Sequence, residues 1–292
     1  MSAEWLRLRC EPRRMGQTSA PRVACVVAIP GRNRLARRAV GILRSPAALS
    51  QGTPMHETPA YELNGQSVTR ERFYAEARAV ARLTHPNVVT IHRVGEAGGR
   101  PFLVSELVRG ESLDKLTLPI PSNKLRAIAR GLARGLAAAH RRGVLHRDIK
   151  PANAVLSTEG EVKLLDFGVA KLLDDDGATQ DTELTQLGGR AMTPQYASPE
   201  QVAGQTVGTA SDVYSLGVIM YEMLVGKPPF TGAQGEILAK QIYEDPPPLA
   251  ELAPWVTPDA AAMVHRLLNK SKAERPTMRQ VSAPLDRHST SR

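Results

Sequence analysis

His146-Arg147-Asp148-Ile149-Lys150-Pro151-Ala152-Asn153 sets an acid, a cation and an amide within six residues. Asp148 is suited to accept a hydroxyl proton, and Lys150 to neutralise a transferring phosphoryl oxygen. Asn153 is suited to ligate a hard cation through its amide oxygen. Thirteen residues on, Asp166-Phe167-Gly168 puts a carboxylate at a strand end, with a glycine that frees the backbone to turn.

The flanking sequence tells which elements hold these groups. Before the first motif, Leu125, Ile128, Leu132 and Leu136 form one apolar stripe of a long helix, capped by Ser122 and closed by Gly143. Between the motifs, Ala154–Leu156 and Val162–Leu165 read as a tight hairpin around Glu159-Gly160. Further on, Val213–Leu224 is apolar nearly all round, as expected of a helix buried in a core, and Ala260–Leu268 is amphipathic. Upstream, Phe73, Ala77, Val80 and Ala81 share a face of a helix over Thr69–Leu83. Glu76 falls on that face, where an acid requires a cationic partner. Val88–Val94 and Pro101–Val108 read as strands joined by a turn at Ala97-Gly98-Gly99.

His146–Asn153 resembles the catalytic loop of protein kinases, and Asp166-Phe167-Gly168 resembles their metal-binding motif, at the family's spacing. Ser198-Pro199-Glu200 stands where the family usually has Ala-Pro-Glu. Asp212 resembles the aspartate that braces the catalytic loop, and Arg275 the partner of Glu200. Lys150 and Thr193-Pro194-Gln195-Tyr196 resemble the Ser/Thr branch, in the style of the bacterial kinases of eukaryotic type. The match runs from about residue 62 to about 286. It implies an α+β, two-lobed fold with a mostly helical C-lobe, an incomplete small β lobe and the nucleotide cleft between them. The chain then divides into an Arg-rich irregular segment (1–60), a partial small lobe (61–108), a C-lobe (109–286) and a tail (287–292).

The resemblance also implies roles. Asp148 is the catalytic base, Lys150 the γ-phosphate contact, and Asn153 and Asp166 the Mg²⁺ ligands. Glu106 to Val108 form the hinge whose backbone meets adenine, with Ser105 the gatekeeper and Val155 the apolar floor beneath the base. For Val155 and Leu107, plain core packing explains the residue equally well. Glu76 belongs to the nucleotide-holding set, and Arg147 is expected to pair with phosphothreonine in the activation segment, with Thr182 and Thr185 as the acceptors. ATP and Mg²⁺ are the implied cofactors, and a protein with a Ser or Thr acceptor is the implied substrate.

Two parts of the family pattern are missing. Before Glu76 the glycines are Gly16, Gly31, Gly41, Gly52 and Gly65, too far apart for a phosphate-covering loop. The first lysine of the chain is Lys115, so none precedes Glu76 to hold the α- and β-phosphates. Losing one such preorganised contact costs about 10²–10³ in rate. The expectation is a Ser/Thr kinase impaired as written, with a pseudokinase serving as an interaction module as the alternative.

Charge separates the same two regions. The chain of 292 residues carries +9, and residues 1–50 hold ten arginines, no lysine and two acids, for +8. The remainder is nearly neutral, so nucleic acid is not an expected partner. The Arg, Ala, Pro, Gly and Ser bias of 1–60 fits a GC-rich gene read out of frame, and a frame error or wrong start is the expected origin of the segment. Two cysteines, Cys10 and Cys25, exclude a disulfide scaffold and fit the cytoplasm, and no apolar run reaches membrane-spanning length.

Overall fold

Ala24-Cys25-Val26-Val27-Ala28 is short, apolar and rich in β-branched residues, a composition that fits a pleated surface once a partner strand is present. It forms strand β1 (Ala24–Ala28), which pairs antiparallel with β2 (Val40–Leu43). The computed structural model describes residues 24–28, 40–43, 66–97, 100–167 and 193–287. The irregular reading of residues 1–60 does not hold for the nine residues of β1 and β2. Local pattern missed them because what fixes them is non-local: β1 is bonded along its other edge by a strand about 80 residues downstream, with Ala24 opposite Glu106 and Ala28 opposite Phe102.

Helix α1 (Gln66–Ala81) follows, and then β3 (Ile91–Ala97) and β4 (Arg100–Glu106), which pair antiparallel. The order β2-β1-β4-β3 makes a four-stranded sheet in a unit formed by residues 1–62 and 91–107. Both predicted strands exist, shifted from the sequence reading; Gly98 and Gly99 lie outside the described residues. Val88 and Val89 are not in β3 because their backbone is used elsewhere. The Val89 N–H donates to Leu164 O at 2.9 Å, and Leu164 N–H returns a bond to Asn87 O at 3.0 Å.

The second unit comprises residues 63–90 and 108–292, and so takes α1 away from the strands that follow it in sequence. Here β5 (Gly110–Ser112), β6 (Ala154–Ser157) and β7 (Val162–Leu164) form a small antiparallel sheet, with the predicted β6–β7 turn at Gly160, φ 82°. Between β5 and β6 runs α2 (Ser122–His140). Its stripe Leu125, Ile128, Leu132 and Leu136 is buried to 7% exposure or less, each side chain contributing about 1.5–3 kcal/mol. Ser122 is the first helical residue rather than the cap; Pro121 takes the cap position, where no side-chain bond is made. Gly135 lets α2 lie close to its neighbours: a Cβ there would come within 2.7 Å of Asn87 O and 2.9 Å of a Leu164 methyl.

The helices α3 (Pro199–Val202), α4 (Thr209–Val225), α5 (Gln234–Tyr243), α6 (Leu249–Leu252), α7 (Pro258–Leu267) and α8 (Met278–Arg287) complete this unit. As the all-round apolar sequence requires, α4 is its central element: Leu216, Val218 and Ile219 are fully buried. It ends at Gly226, whose left-handed φ of 93° a side chain would strain. Helix α2 packs against α4, α8 and β7, which places the 146–153 loop on a rigid base. No helix among the described residues is long and apolar enough to cross a membrane.

Candidate functional site

The loop after α2 is held by one buried carboxylate. Asp212, on the first turns of α4, accepts from the His146 N–H at 2.9 Å on Oδ2 and from the Arg147 N–H at 2.9 Å on Oδ1. His140 Nε2 reaches the same Oδ2 at 2.8 Å. A carboxylate satisfied by two main-chain donors fixes the loop backbone, and Arg147 adopts a left-handed φ of 63° within it. Asp212 thus sits where the sequence reading put a brace.

His146 is fully buried and donates through Nε2 to Leu165 O at 2.8 Å, while its ring meets Phe167 at 4.6 Å between centroids. Burial, against the pull of Asp212 and Asp148, holds its imidazole below the ordinary value, so the ring is neutral with its proton on Nε2. Leu165 N–H donates to Asn153 O at 2.8 Å. The two motifs are therefore linked by hydrogen bonds on both sides of Leu165.

Asp148 is the focus of the loop. Its Oδ2 accepts from Asn153 Nδ2 at 3.0 Å and lies 2.9 Å from Lys150 Nζ. The same Asn153 amide donates to the Asp148 main-chain oxygen at 2.8 Å. With its nitrogen so used, Asn153 keeps its amide oxygen as an acceptor. Lys150 also donates to Thr193 Oγ1 at 3.3 Å. The carboxylate, ammonium and amide named from sequence are brought together, each partly or fully shielded from solvent.

Asp166 is exposed at the end of the segment after β7, with a left-handed φ of 45°, and Phe167 is buried. Asn153 Oδ1 and the Asp166 carboxylate are hard oxygen donors, the type Mg²⁺ selects. Val155 lies in β6 with 9% exposure, so its packing role is met by the core. Glu106 closes β4 in the sheet unit; Val108 is half-buried. Gly168, Thr182 and Thr185 lie outside the described residues.

Glu76 does not stand alone. Both its carboxylate oxygens accept from Arg147 Nη1, at 3.0 and 3.1 Å, with side-chain exposures of 36% and 34%. The sequence reading left Glu76 without a cation and reserved Arg147 for a phosphothreonine. Here the two meet, α1 and the 146–153 loop belonging to the same unit.

A second pair stabilises the region behind the loop. Arg275 bonds Glu200 bidentately, at 2.7 and 2.9 Å, with both side chains essentially buried. Ser211 adds a bond to Glu200 Oε1 at 2.6 Å, and the other Arg275 donors reach the carbonyls of Asn269, Ala210 and Lys270. Burial opposes the Glu200 charge, but the bonds from Arg275 and Ser211 hold its carboxyl below the usual range. The sequence reading missed Gln201, whose Nε2 donates to Arg147 O at 3.1 Å and whose Oε1 completes a capping box with Ser198. The spacing Ser198-x-x-Gln201 carries that signal. It also missed fully buried Gln241, which donates to Pro194 O and Gln195 O and so holds the 194–196 turn; nothing local in the sequence marks it.

The family model described as the protein kinase domain matches residues 61–284. The chain is 40% identical over 224 residues to the serine/threonine-protein kinase pkn2 of Myxococcus xanthus, covering 74% of this chain and 27% of that protein. It is 36% identical over 244 residues to PknB of Mycolicibacterium smegmatis, covering 79% and 38%. It is 38% identical over 257 residues to PknA of Mycobacterium tuberculosis, covering 85% and 53%. The chain thus spans about a quarter to a half of the length of these relatives.

Proposed function

The chain belongs to the protein kinase domain family, of the bacterial Ser/Thr type, and from that premise we propose that it carries the machinery for phosphoryl transfer from ATP to a protein Ser or Thr hydroxyl, weakened on its nucleotide-holding side. The observation that carries this reading is Asp148, whose carboxylate is held by Asn153 and Lys150, with the backbone of the loop fixed by Asp212.

From these contacts the roles follow. The Asp148 carboxylate is the group to accept the proton of an acceptor hydroxyl, while Asn153 and Lys150 keep it aimed. Lys150, bridging Asp148 and Thr193, is positioned to meet negative charge developing on a transferred phosphoryl group. Asn153 and Asp166 are the residues that would hold Mg²⁺, which neutralises phosphate charge when bound. Glu106 and Val108 supply the hinge, and Val155 the apolar floor.

The weakness lies in the sheet unit. Strand β1 is bonded to β4, the strand ending at Glu106, yet none of its five residues is a cation. In sequence Val27-Ala28-Ile29 runs into Pro30, whereas Val-Ala-Ile-Lys is the stretch that carries a kinase's strand lysine. The family match begins at residue 61, which supports reading 1–60, apart from the β1 and β2 strands paired in the sheet, as departing from the family pattern, followed by a partial small lobe to 108 and the C-lobe to 286. Resequencing the locus tests the frame-error origin; a verified frame with no lysine-bearing strand in an overlapping frame overturns it. The second reading, a pseudokinase that docks proteins in the cytoplasm, is favoured by Glu76, whose carboxylate is already spent on Arg147.

One assay separates the readings. The chain is incubated with Mg²⁺, labelled ATP and a protein acceptor, beside Asp148→Asn. Transfer that falls by about 10²–10⁴ in the variant supports Asp148 as the base. Equal transfer by both overturns its role, and nucleotide-independent behaviour of both promotes the docking module.

A further inference from the structure

A cavity of about 300 Å³ lies on the second unit, away from Asp148 in sequence and in its lining. Its walls are the His85-Pro86-Asn87 turn, the α2 face bearing Arg134, Ala137 and Arg141, and the α8 face bearing Ser282 and Asp286. The size is at the lower end of small-ligand sites.

The polar groups around it are nearly all donors. Asn87 is spent on the fold: its amide nitrogen donates to Val162 O at 2.8 Å, and its N–H to His85 Nδ1 at 3.2 Å. That second bond makes Nδ1 the acceptor and leaves the His85 proton on Nε2. Arg134 Nη2 lies 2.7 Å from Asp286 Oδ1, a part-exposed ion pair that offsets the one carboxylate of the cavity. Arg141 is exposed, and its guanidinium makes no hydrogen bond or ion pair with any described residue. The balance is two guanidinium groups and an imidazole N–H against one acid already paired. We propose that this cavity binds a phosphate-bearing ligand, with Arg141 and His85 Nε2 as its principal contacts and Arg134, fixed by Asp286, as the flanking charge. A guanidinium fork matches phosphate oxygens, and the space beyond one phosphate admits the small body of a monoester. The proposal is independent of the kinase reading, since none of its residues serves the catalytic loop.

His85 is the reporter. Burial, and after it the fields of Arg141 and Arg134, hold its imidazole below the ordinary 6.5. The charged groups facing it are those two arginines and Asp286. An anion between the arginines reverses their effect, so binding raises the His85 titration midpoint. The full chain is titrated by NMR at constant ionic strength, with the His85 ring resonance assigned from His85→Gln. The probes are inorganic phosphate, O-phosphoserine and acetate. A saturable shift with phosphate or phosphoserine, weakened at least about tenfold in Arg141→Ala, supports the site. Tighter phosphoserine identifies a phosphorylated side chain as the source, and tighter inorganic phosphate the free ion. A response that does not saturate, that persists unchanged in Arg141→Ala, or that acetate reproduces at equal strength, overturns the proposal. Arg141 is an exposed residue just past α2, and the unshifted His146 resonance confirms that the variant is folded.

Discussion

Two glutamate–arginine pairs join distant parts of this chain, and they differ in nearly every physical respect. Glu200–Arg275 is buried, bidentate across both guanidinium nitrogens, and enclosed by Ser211 and three carbonyls. Glu76–Arg147 is about one-third exposed, uses one guanidinium nitrogen, and links α1 to the catalytic loop. The first is a brace whose removal strands a charge in a dry site. The second is a surface link, screened by solvent and salt. The difference teaches which half of the molecule is built to stay and which is built on a contact cheap to exchange. Behind Asp148 the support is redundant, whereas the polar link between α1 and the loop is a weak pair.

The largest effect expected is from Arg275→Met. It leaves Glu200 buried and charged, without its cationic partner, and costs about 3–5 kcal/mol of stability. Urea unfolding measures it. A loss below about 1 kcal/mol would place this pair in the same class as Glu76–Arg147 and dissolve the contrast.

Next is Glu200→Gln, which keeps shape and removes charge, and which sharpens the contrast through pH. Because Arg275 and Ser211 lower the folded-state pKa of Glu200 against the cost of burial, its contribution is full above the usual 4.5. It is lost as pH falls below 4.5 through the lowered value. Wild type is therefore expected to lose stability more steeply than the variant as pH falls below 4.5. Parallel acid limbs would show that the pair does not hold the carboxyl charged.

These contrasts were unequally visible in the sequence. Asp148, Lys150 and Asn153 were legible because the loop is a contiguous motif on a helix with a clean 3.6-residue stripe, so local pattern and tertiary role coincide, whereas Asp212, 66 residues from His146, was legible through the family resemblance. Glu200–Arg275 was legible only through the family resemblance, since 75 residues separate the partners. Strands β1 and β2 were not legible, because their short apolar runs acquire meaning only from pairing with each other and β4. Arg147 was assigned to a phosphate and found on Glu76: sequence spacing says that an acid on α1 needs a cation, but it cannot say which cation the fold brings within 3.0 Å.

The smallest effect tests the other side of the comparison. Glu76→Gln removes the charge from a pair that solvent already screens, so global stability should fall by no more than about 1 kcal/mol, and the loss should vanish near 1 M salt, where the screening length is about 3 Å. The local effect should exceed the global one. Helix α1 loses its ionic link to the catalytic loop, while Ala77 and Val80, buried to 2% exposure or less, keep their apolar contacts. Hydrogen exchange over residues 66–81 should therefore quicken in the variant, with α4 unchanged, because local opening draws on local contacts. Reversing the charges in the double variant Glu76→Arg, Arg147→Glu should restore the slower exchange. If Glu76→Gln costs as much as Arg275→Met, the link is a brace like the first, and α1 is fixed to the loop rather than lightly held. If exchange over α1 is unchanged, the apolar contacts alone hold the helix, and Arg147 is free to leave Glu76 for another anion at no structural cost.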